Sequence, residues 1–173
     1  PNEHGTNDSA PITTAARRGD ADILQMLLAH GAKVDTGKGD EAPLILATLR
    51  GDAATVSLLL RSGAGRETTD AAGHTALWHA ACRDDTAVLS LLLGAGADVN
   101  AAVADGINPV ACAAARGNDA AFEKLLRADA DVRARSQSGD TLLMLAARGN
   151  HATIVRRLVG LRVGLDAQDG LGD

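Results

Sequence analysis

The hydrophobic positions of this 173-residue chain recur with a period of about 33 residues. An apolar pair near the end of a helix-like stretch marks each of five copies: Leu27-Leu28, Leu59-Leu60, Leu92-Leu93, Leu125-Leu126 and Leu158-Val159. Successive pairs are 32, 33, 33 and 33 residues apart. A segment of this size cannot bury its own apolar face, so neighbouring copies must stack. The pattern therefore predicts an elongated repeat solenoid.

Residues that start and stop helices recur within each copy. Proline stands where a first helical residue is predicted in three copies, and its preset φ suits that position (Pro11, Pro43, Pro109). The first helix should stop at residue types that tolerate a left-handed conformation: Gly19, Gly51, Asp84, Gly117 and Asn150. The next residue should cap the second helix, at Asp20, Asp52, Asp85 and Asn118. The sequence of each copy thus predicts two short antiparallel helices and a hairpin-like turn.

The third copy shows the pattern most clearly. It opens with Asp70-Ala-Ala-Gly73-His-Thr75-Ala-Leu77-Trp-His-Ala80-Ala81 and closes with Gly96-Ala97-Asp98-Val99-Asn100. This resembles the ankyrin repeat, which opens with D-x-x-G-x-T-P-L-H-x-A-A and closes with G-A-D-V-N. The resemblance covers essentially the whole chain. It implies an all-α ankyrin-repeat solenoid of stacked helix-turn-helix units with β-hairpin-like loops.

We expect a single ankyrin-repeat domain over residues 1–173. Its repeats are placed at about 5–36, 37–69, 70–102, 103–135 and 136–168, and a sixth begins at 169–173. Neither end resembles the polar cap that closes a solenoid, so we interpret the chain as a segment of a longer array.

Several copies depart from the family pattern. The position of the family's histidine in T-P-L-H holds other residues: Thr13, Ile45, Trp78, Ala111 and Met144. Arg66 replaces an expected valine, and Asp129 and Arg162 replace expected glycines. We expect the second and fifth copies to be the weakest layers, and Trp78 to pack between repeats.

The charge and the cysteine content of the chain argue against several classes of function. The formal net charge is −5, whereas binders of nucleic acid or anionic membranes carry a basic surplus. Cys82 and Cys112 form no metal-ligand pattern and no disulfide framework. We interpret them as small residues in tight layers, with redox pairing as the alternative, and place the protein by default in a reducing compartment such as the cytoplasm. The sequence has no signal-peptide or membrane-spanning run.

Candidate binding residues follow from the resemblance. Ankyrin proteins usually bind a partner protein through a concave face of hairpin tips and inner helices. The end of the inner helix holds an arginine in four copies: Arg18, Arg50, Arg83 and Arg116. The exposed position of that helix holds Thr14, Leu46, His79, Cys112 and Leu145, and the hairpins add His74, Val103 and Ile107. Alternatively, the arginines only stabilise helix C-termini through the helix dipole, by about 0.3–1 kcal/mol each.

No catalytic motif is found, and the histidines are scattered along the sequence. We therefore expect a monomeric protein–protein interaction module with no catalysis, cofactor or metal of its own. The alternative is a substrate-targeting or regulatory arm of a longer enzyme or of a secreted bacterial effector, which would place it in a host cytoplasm. A spacer without any partner is a third possibility.

Overall fold

The computed structural model describes residues 10–101, 103 and 106–164, and these residues form helices and no strand. The α-helices form five pairs. The first, inner helices of the pairs are α1 (Pro11–Arg18), α3 (Pro43–Arg50), α5 (Ala76–Cys82), α7 (Pro109–Arg116) and α9 (Leu142–Arg148). The second, outer helices are α2 (Ala21–Ala29), α4 (Ala53–Arg61), α6 (Thr86–Gly94), α8 (Asp119–Arg127) and α10 (Ala152–Gly160). The predicted all-α repeat solenoid is confirmed.

The inner helices end where the sequence predicts. All five predicted stop residues have positive φ: 73° at Gly19, Gly51 and Gly117, 56° at Asp84 and 58° at Asn150. In this conformation the backbone N–H groups past the helix end reach the last carbonyls, as Asp20 N does to Ala15 O at 3.0 Å.

The predicted caps of the outer helices are confirmed in two copies and wrong in two. Asp52 accepts hydrogen bonds from the N–H groups of Ala54 and Thr55, and Asp85 accepts one from Val88. The side chains of Asp20 and Asn118 make no such bond. Asn118 instead donates from Nδ2 to the Ala81 carbonyl oxygen of the preceding copy, at 2.8 Å.

The core is a row of layers rather than one centre. The first leucine of the repeating apolar pair is fully buried in four copies (Leu59, Leu92, Leu125, Leu158), whereas its equivalent in the first copy, Leu27, is half-buried. The inner helices meet through small side chains such as Ala80, Ala81, Ala113 and Ala114, which are also fully buried. Neighbouring inner helices contact each other more extensively than neighbouring outer helices do. The stack therefore curves toward the inner helices.

The hairpins differ between copies. Isolated antiparallel bridges join Thr69 to Thr75 and Arg135 to Thr141, in the two copies that keep the family's threonine. In the second copy a single 3₁₀ turn, Gly39–Glu41, occupies this region. Residues 102, 104 and 105 of the fourth hairpin, and the proposed start of a sixth copy at 169–173, lie outside the described residues.

Side-chain oxygens also link successive copies in the loops that follow the outer helices. Each of three side chains accepts a hydrogen bond of 2.8–3.2 Å from a backbone N–H of the next copy. The pairs are Asp35 with Gly65 N, Glu67 with Asp98 N, and Asn100 with Asp131 N. The corresponding position of the fourth copy is Arg133, whose side chain has no acceptor. This series of links therefore cannot extend to the last junction.

The structure shows the alternative interpretation of the cysteines, redox pairing, and both side chains are also buried in the layers. Cys82 on α5 and Cys112 on α7 form a disulfide, with Cα atoms 5.4 Å apart. The side chains meet because α5 and α7 are neighbours in the stack and Cys82 and Cys112 lie on their facing sides.

None of the helices in the described ranges is long and apolar enough to cross a bilayer.

Candidate functional site

The four candidate arginines lie at equivalent ends of stacked inner helices. Arg18, Arg50 and Arg116 are the last residues of α1, α3 and α7, and Arg83 follows α5 directly. All four are exposed. Because packed helices lie about 8–10 Å apart, the four successive helix ends that carry these arginines span roughly 25–30 Å. Within the described part of the chain, none of them lies within 4.0 Å of an acidic side chain.

Arg50 also lies against a residue of the neighbouring copy. Its side chain and that of Asp52 fill the space in front of Gly19, where an added Cβ would lie 2.8 Å from Asp52 Oδ2. Burial by itself would raise the pKa of Asp52, but hydrogen bonds from Thr55 and Ala54 and the charge of Arg50 outweigh it and lower that pKa. Arg50 therefore contributes to the junction between the first two copies as well as to the exposed row.

In the fifth copy the arginine forms an ion pair with its own hairpin. Arg148 binds Asp140 of its own hairpin through two hydrogen bonds, Nη2 to Oδ1 at 2.7 Å and Nη1 to Oδ2 at 3.2 Å. These bonds from Arg148 are the largest cause of the lowered pKa of Asp140. The row of arginines thus stops at Arg116.

The predicted exposed position of the inner helix is only partly confirmed. Thr14, Leu46, His79 and Leu145 are half-buried, so each presents part of its side chain to solvent. Cys112 is only 4 % exposed and lies in the disulfide, so its predicted exposure is wrong.

The hairpin candidates connect to the same region. Val103 and Ile107 are half-buried. The carbonyl oxygen of Ile107 accepts a hydrogen bond of 2.7 Å from the Trp78 indole nitrogen, which joins the third and fourth copies. Trp78 therefore packs between repeats, as predicted.

Three side chains of the third copy converge where its hairpin meets α5. His79 Nε2 lies 2.8 Å from Asp70 Oδ2, and His74 Nδ1 lies 3.4 Å from the same oxygen. His74 also stacks on Trp78, with ring centroids 3.6 Å apart and planes at 15°. The candidate residues His74 and His79 therefore lie next to each other, with ring centroids 5.8 Å apart, although the histidines are scattered along the sequence.

Local backbone groups hold the carboxylate of this cluster in place. Asp70 Oδ1 accepts hydrogen bonds from Ala72 N at 2.9 Å and His74 N at 2.8 Å. Burial would raise the pKa of Asp70, but these contacts and the two imidazoles outweigh it and lower that pKa. Burial lowers the pKa of His79, against the opposing effect of Asp70. At neutral pH the cluster therefore holds a carboxylate and a neutral His79.

The sequence interpretation missed Asp70 as a member of this site. The available signal was its spacing, Asp70-x₃-His74-x₄-His79, across the junction between a hairpin and a helix. That spacing alone was not decisive, because only the hairpin fold turns all three side chains toward one point.

Comparison with known proteins agrees with the helix pairs. A family model for ankyrin repeats, describing three copies, matches residues 12–103 and again residues 110–171. No curated protein sequence matches the chain significantly. Ankyrin repeats generally mediate protein–protein interaction and are typically non-catalytic. Since the match covers most of the chain, this protein belongs to the ankyrin repeat family.

Proposed function

We propose that this chain is a protein-binding module that engages an acidic partner surface through its inner-helix face. The observation that carries the proposal is the exposed row of Arg18, Arg50, Arg83 and Arg116. Four guanidinium groups at a regular spacing match a partner that presents carboxylates at a similar spacing. Arginine binds carboxylates through two parallel hydrogen bonds and is enriched among residues that dominate interface energetics.

The protein's overall charge sharpens this proposal. The chain has a formal net charge of −5, so the row is a positive feature on an acidic molecule. An acidic partner is attracted to the row and repelled elsewhere, which favours one docking orientation. Helix-dipole stabilisation of the same arginines is compatible with binding, because it leaves their outer N–H groups available.

Leu46, His79 and Leu145 lie beside the row on the inner helices, and His74, Val103 and Ile107 lie at the adjacent hairpins. Because each is half-buried, their exposed parts would add apolar and polar contacts around the charged row. We propose these residues as the remainder of the binding surface.

The test compares two triple variants with the same change in charge. One is Arg50→Glu/Arg83→Glu/Arg116→Glu on the inner face. The control is Arg61→Glu/Arg127→Glu/Arg156→Glu, which reverses three exposed arginines on the outer helices. Binding partners are captured from cell lysate with the wild-type chain, identified by mass spectrometry, purified and titrated against all three proteins by calorimetry.

We expect the inner-face variant to lose at least tenfold in affinity and the outer-face control to keep the wild-type affinity within about twofold at matched salt. Circular dichroism must show that both variants stay folded. Equal affinities for the two variants would refute the inner-face proposal, and so would the absence of any saturable partner.

A further inference from the structure

We propose that Asp70, His74 and His79 form a binding site for a single zinc ion. Each residue offers one ligand atom, and the three atoms all lie within 4.8 Å of one another. Two imidazole nitrogens and a carboxylate oxygen are a ligand set that zinc binds well. The zinc proposal shares His74 and His79 with the binding surface proposed above, but its test needs no partner protein.

The distances between the ligand atoms suit a tetrahedral ion. Atoms that share a zinc with bonds of about 2.0–2.1 Å lie about 3.3 Å apart. The distances from Asp70 Oδ2 to His79 Nε2 and to His74 Nδ1 are 2.8 Å and 3.4 Å, which bracket that value. The ligand atoms of the two imidazoles lie within 4.8 Å of each other, so side-chain rotations must bring them closer to admit the ion.

The surroundings orient these ligands before an ion arrives. The two backbone N–H bonds to Asp70 Oδ1 leave Oδ2 turned toward the imidazoles. His74 is held by its stacking on Trp78, whose indole nitrogen is anchored to the Ile107 carbonyl oxygen. Metal ligands characteristically have such supporting contacts, which fix ring orientation and strengthen binding.

A fourth ligand would come from solvent. The side chains of Asp70, His74 and His79 are 10 %, 16 % and 13 % exposed, so the cluster is largely buried but reaches the protein surface. Water would complete the coordination of the ion. His79 coordinates with its Nε2 lone pair, so its ring proton must sit on Nδ1, and the hydrogen bond to Asp70 gives way to two bonds to the metal.

Bound zinc would tie the third hairpin to the inner helix that follows it. His74 belongs to the hairpin and His79 to α5, so coordination of both closes this junction. An ion that binds only the folded state stabilises it in proportion to the logarithm of its concentration. The melting temperature should therefore rise as zinc is added.

The first measurement is calorimetric titration of Zn²⁺ into the metal-stripped, disulfide-oxidised protein, with Mg²⁺ as a comparison. The variants are His74→Gln and His79→Gln. His30→Gln is the matched control, because His30 is exposed on the helix pair of the first copy and, among the described residues, its side chain forms a hydrogen bond with Met26 O of its own helix. Asp70 is left intact, since it also supports the hairpin backbone.

We expect the wild type and His30→Gln to bind one Zn²⁺ per chain and the other two variants to bind at least tenfold more weakly. Mg²⁺ should not bind, because it prefers all-oxygen sites. An unsaturable zinc titration, or equal zinc affinity in all variants, would overturn the proposal.

A second readout locates the ion without any substitution. Trp78 is the only tryptophan in the chain, and there is no tyrosine. Co²⁺ bound at His74 would lie close enough to quench the Trp78 fluorescence, and Zn²⁺ should reverse the quenching by competition. The proposal fails if saturating Co²⁺ leaves the fluorescence unchanged, even where a histidine variant does not fold.

Discussion

At the scale of single residues, the copies differ in backbone strain at the position that follows the outer helix. Gly31, Gly63 and Gly96 follow their outer helices with φ of 83°, 87° and 83°. The fourth and fifth copies place Asp129 and Arg162 there, at φ of 61° and 55°. A side chain with a Cβ pays a steric penalty of about 1–2 kcal/mol in this region, although aspartate tolerates it better than most residues.

Asp129→Gly should therefore stabilise the fold by about 0.5–1 kcal/mol, since relief of strain exceeds the added entropy of the unfolded chain. Thermal unfolding of the two proteins measures the difference. Asp129→Ala is the matched control, because it removes the carboxylate but keeps the Cβ. If the alanine variant is stabilised equally, the gain comes from lost charge and not from backbone strain.

A buried hydroxyl offers a second test at the same scale. Thr48 is fully buried in α3, and its Oγ1 has no hydrogen-bond partner among the described residues. Thr48→Val keeps the shape and removes the unsatisfied group, so we expect stabilisation of about 1 kcal/mol. Thr48→Ser keeps the hydroxyl and should not stabilise. Chemical denaturation would contradict this explanation if valine lowered the free energy of unfolding.

At the scale of secondary-structure elements, the inner helices obtain their N-terminal caps from different residue types. Thr75 and Thr141 accept from the N–H groups of Trp78 and Met144, each at 3.3 Å. In the fourth copy Asn108 occupies the same position and accepts from Ala111 N at 2.9 Å. The threonine of the family pattern is therefore a capping position that asparagine also satisfies.

Asn108→Ala should destabilise the fold by about 1 kcal/mol, because it leaves the Ala111 N–H without this acceptor. Asn108→Thr restores the residue of the family pattern and should cost much less. Equilibrium unfolding in urea distinguishes the two variants. Equal losses would mean that packing around Asn108, and not capping, sets its contribution.

The Asp140–Arg148 pair connects a hairpin to α9 and predicts a pH dependence. The pKa of Asp140 is lowered below its usual 3.8, chiefly by hydrogen bonds from Arg148. The folded state therefore binds a proton at Asp140 less readily than the unfolded state does. The stability that the ion pair contributes is fully present above pH 3.8 and is lost as the pH falls through the lowered pKa.

Asp140→Asn should cost about 1 kcal/mol at pH 7, since the arginine is largely exposed to solvent. The difference from wild type should shrink as the pH falls below about 4. Thermal unfolding across this pH range provides the measurement. A difference that stays constant down to the lowest pH would rule out the ion pair as its source.

At the scale of the whole molecule, the disulfide adds a covalent link between layers that otherwise interact through packing and hydrogen bonds. Cys82 and Cys112 close a loop of 30 residues between α5 and α7. By restricting the unfolded chain, a loop of this length contributes about 3–4 kcal/mol. The central layers should therefore resist unfolding more than the terminal ones, which contact a neighbour on one side only.

Cys82→Ala/Cys112→Ala should lower the unfolding temperature of the oxidised protein substantially, and wild type with added reductant should behave similarly. Hydrogen exchange should show the loss of protection concentrated in α5 and α7. Thiol titration of the unfolded, unreduced protein provides the control and should find no free thiol. Two free thiols, or an unchanged unfolding temperature, would contradict the structural contribution of the disulfide.

The sequence by itself determined the period, the pairing of short helices and the residues at which inner helices end. These features depend on local chemistry that every copy repeats. A proline or small polar residue starts a helix, and a glycine, aspartate or asparagine stops it. The buried position of Leu92 and its equivalents could be predicted for the same reason, because the spacing of apolar residues fixes the face that a helix buries.

Only the tertiary structure decided which side chains meet. Cys82 reaches Cys112, and Asn118 reaches Ala81 instead of capping its own helix, because stacking brings residues 30 to 37 positions apart into contact. Asp70, His74 and His79 converge because a hairpin turns back onto α5. Periodicity encodes which face is buried, but not the side-chain orientations at a junction. Those depend on how closely neighbouring copies approach, and that distance is set by the packed layers as a whole.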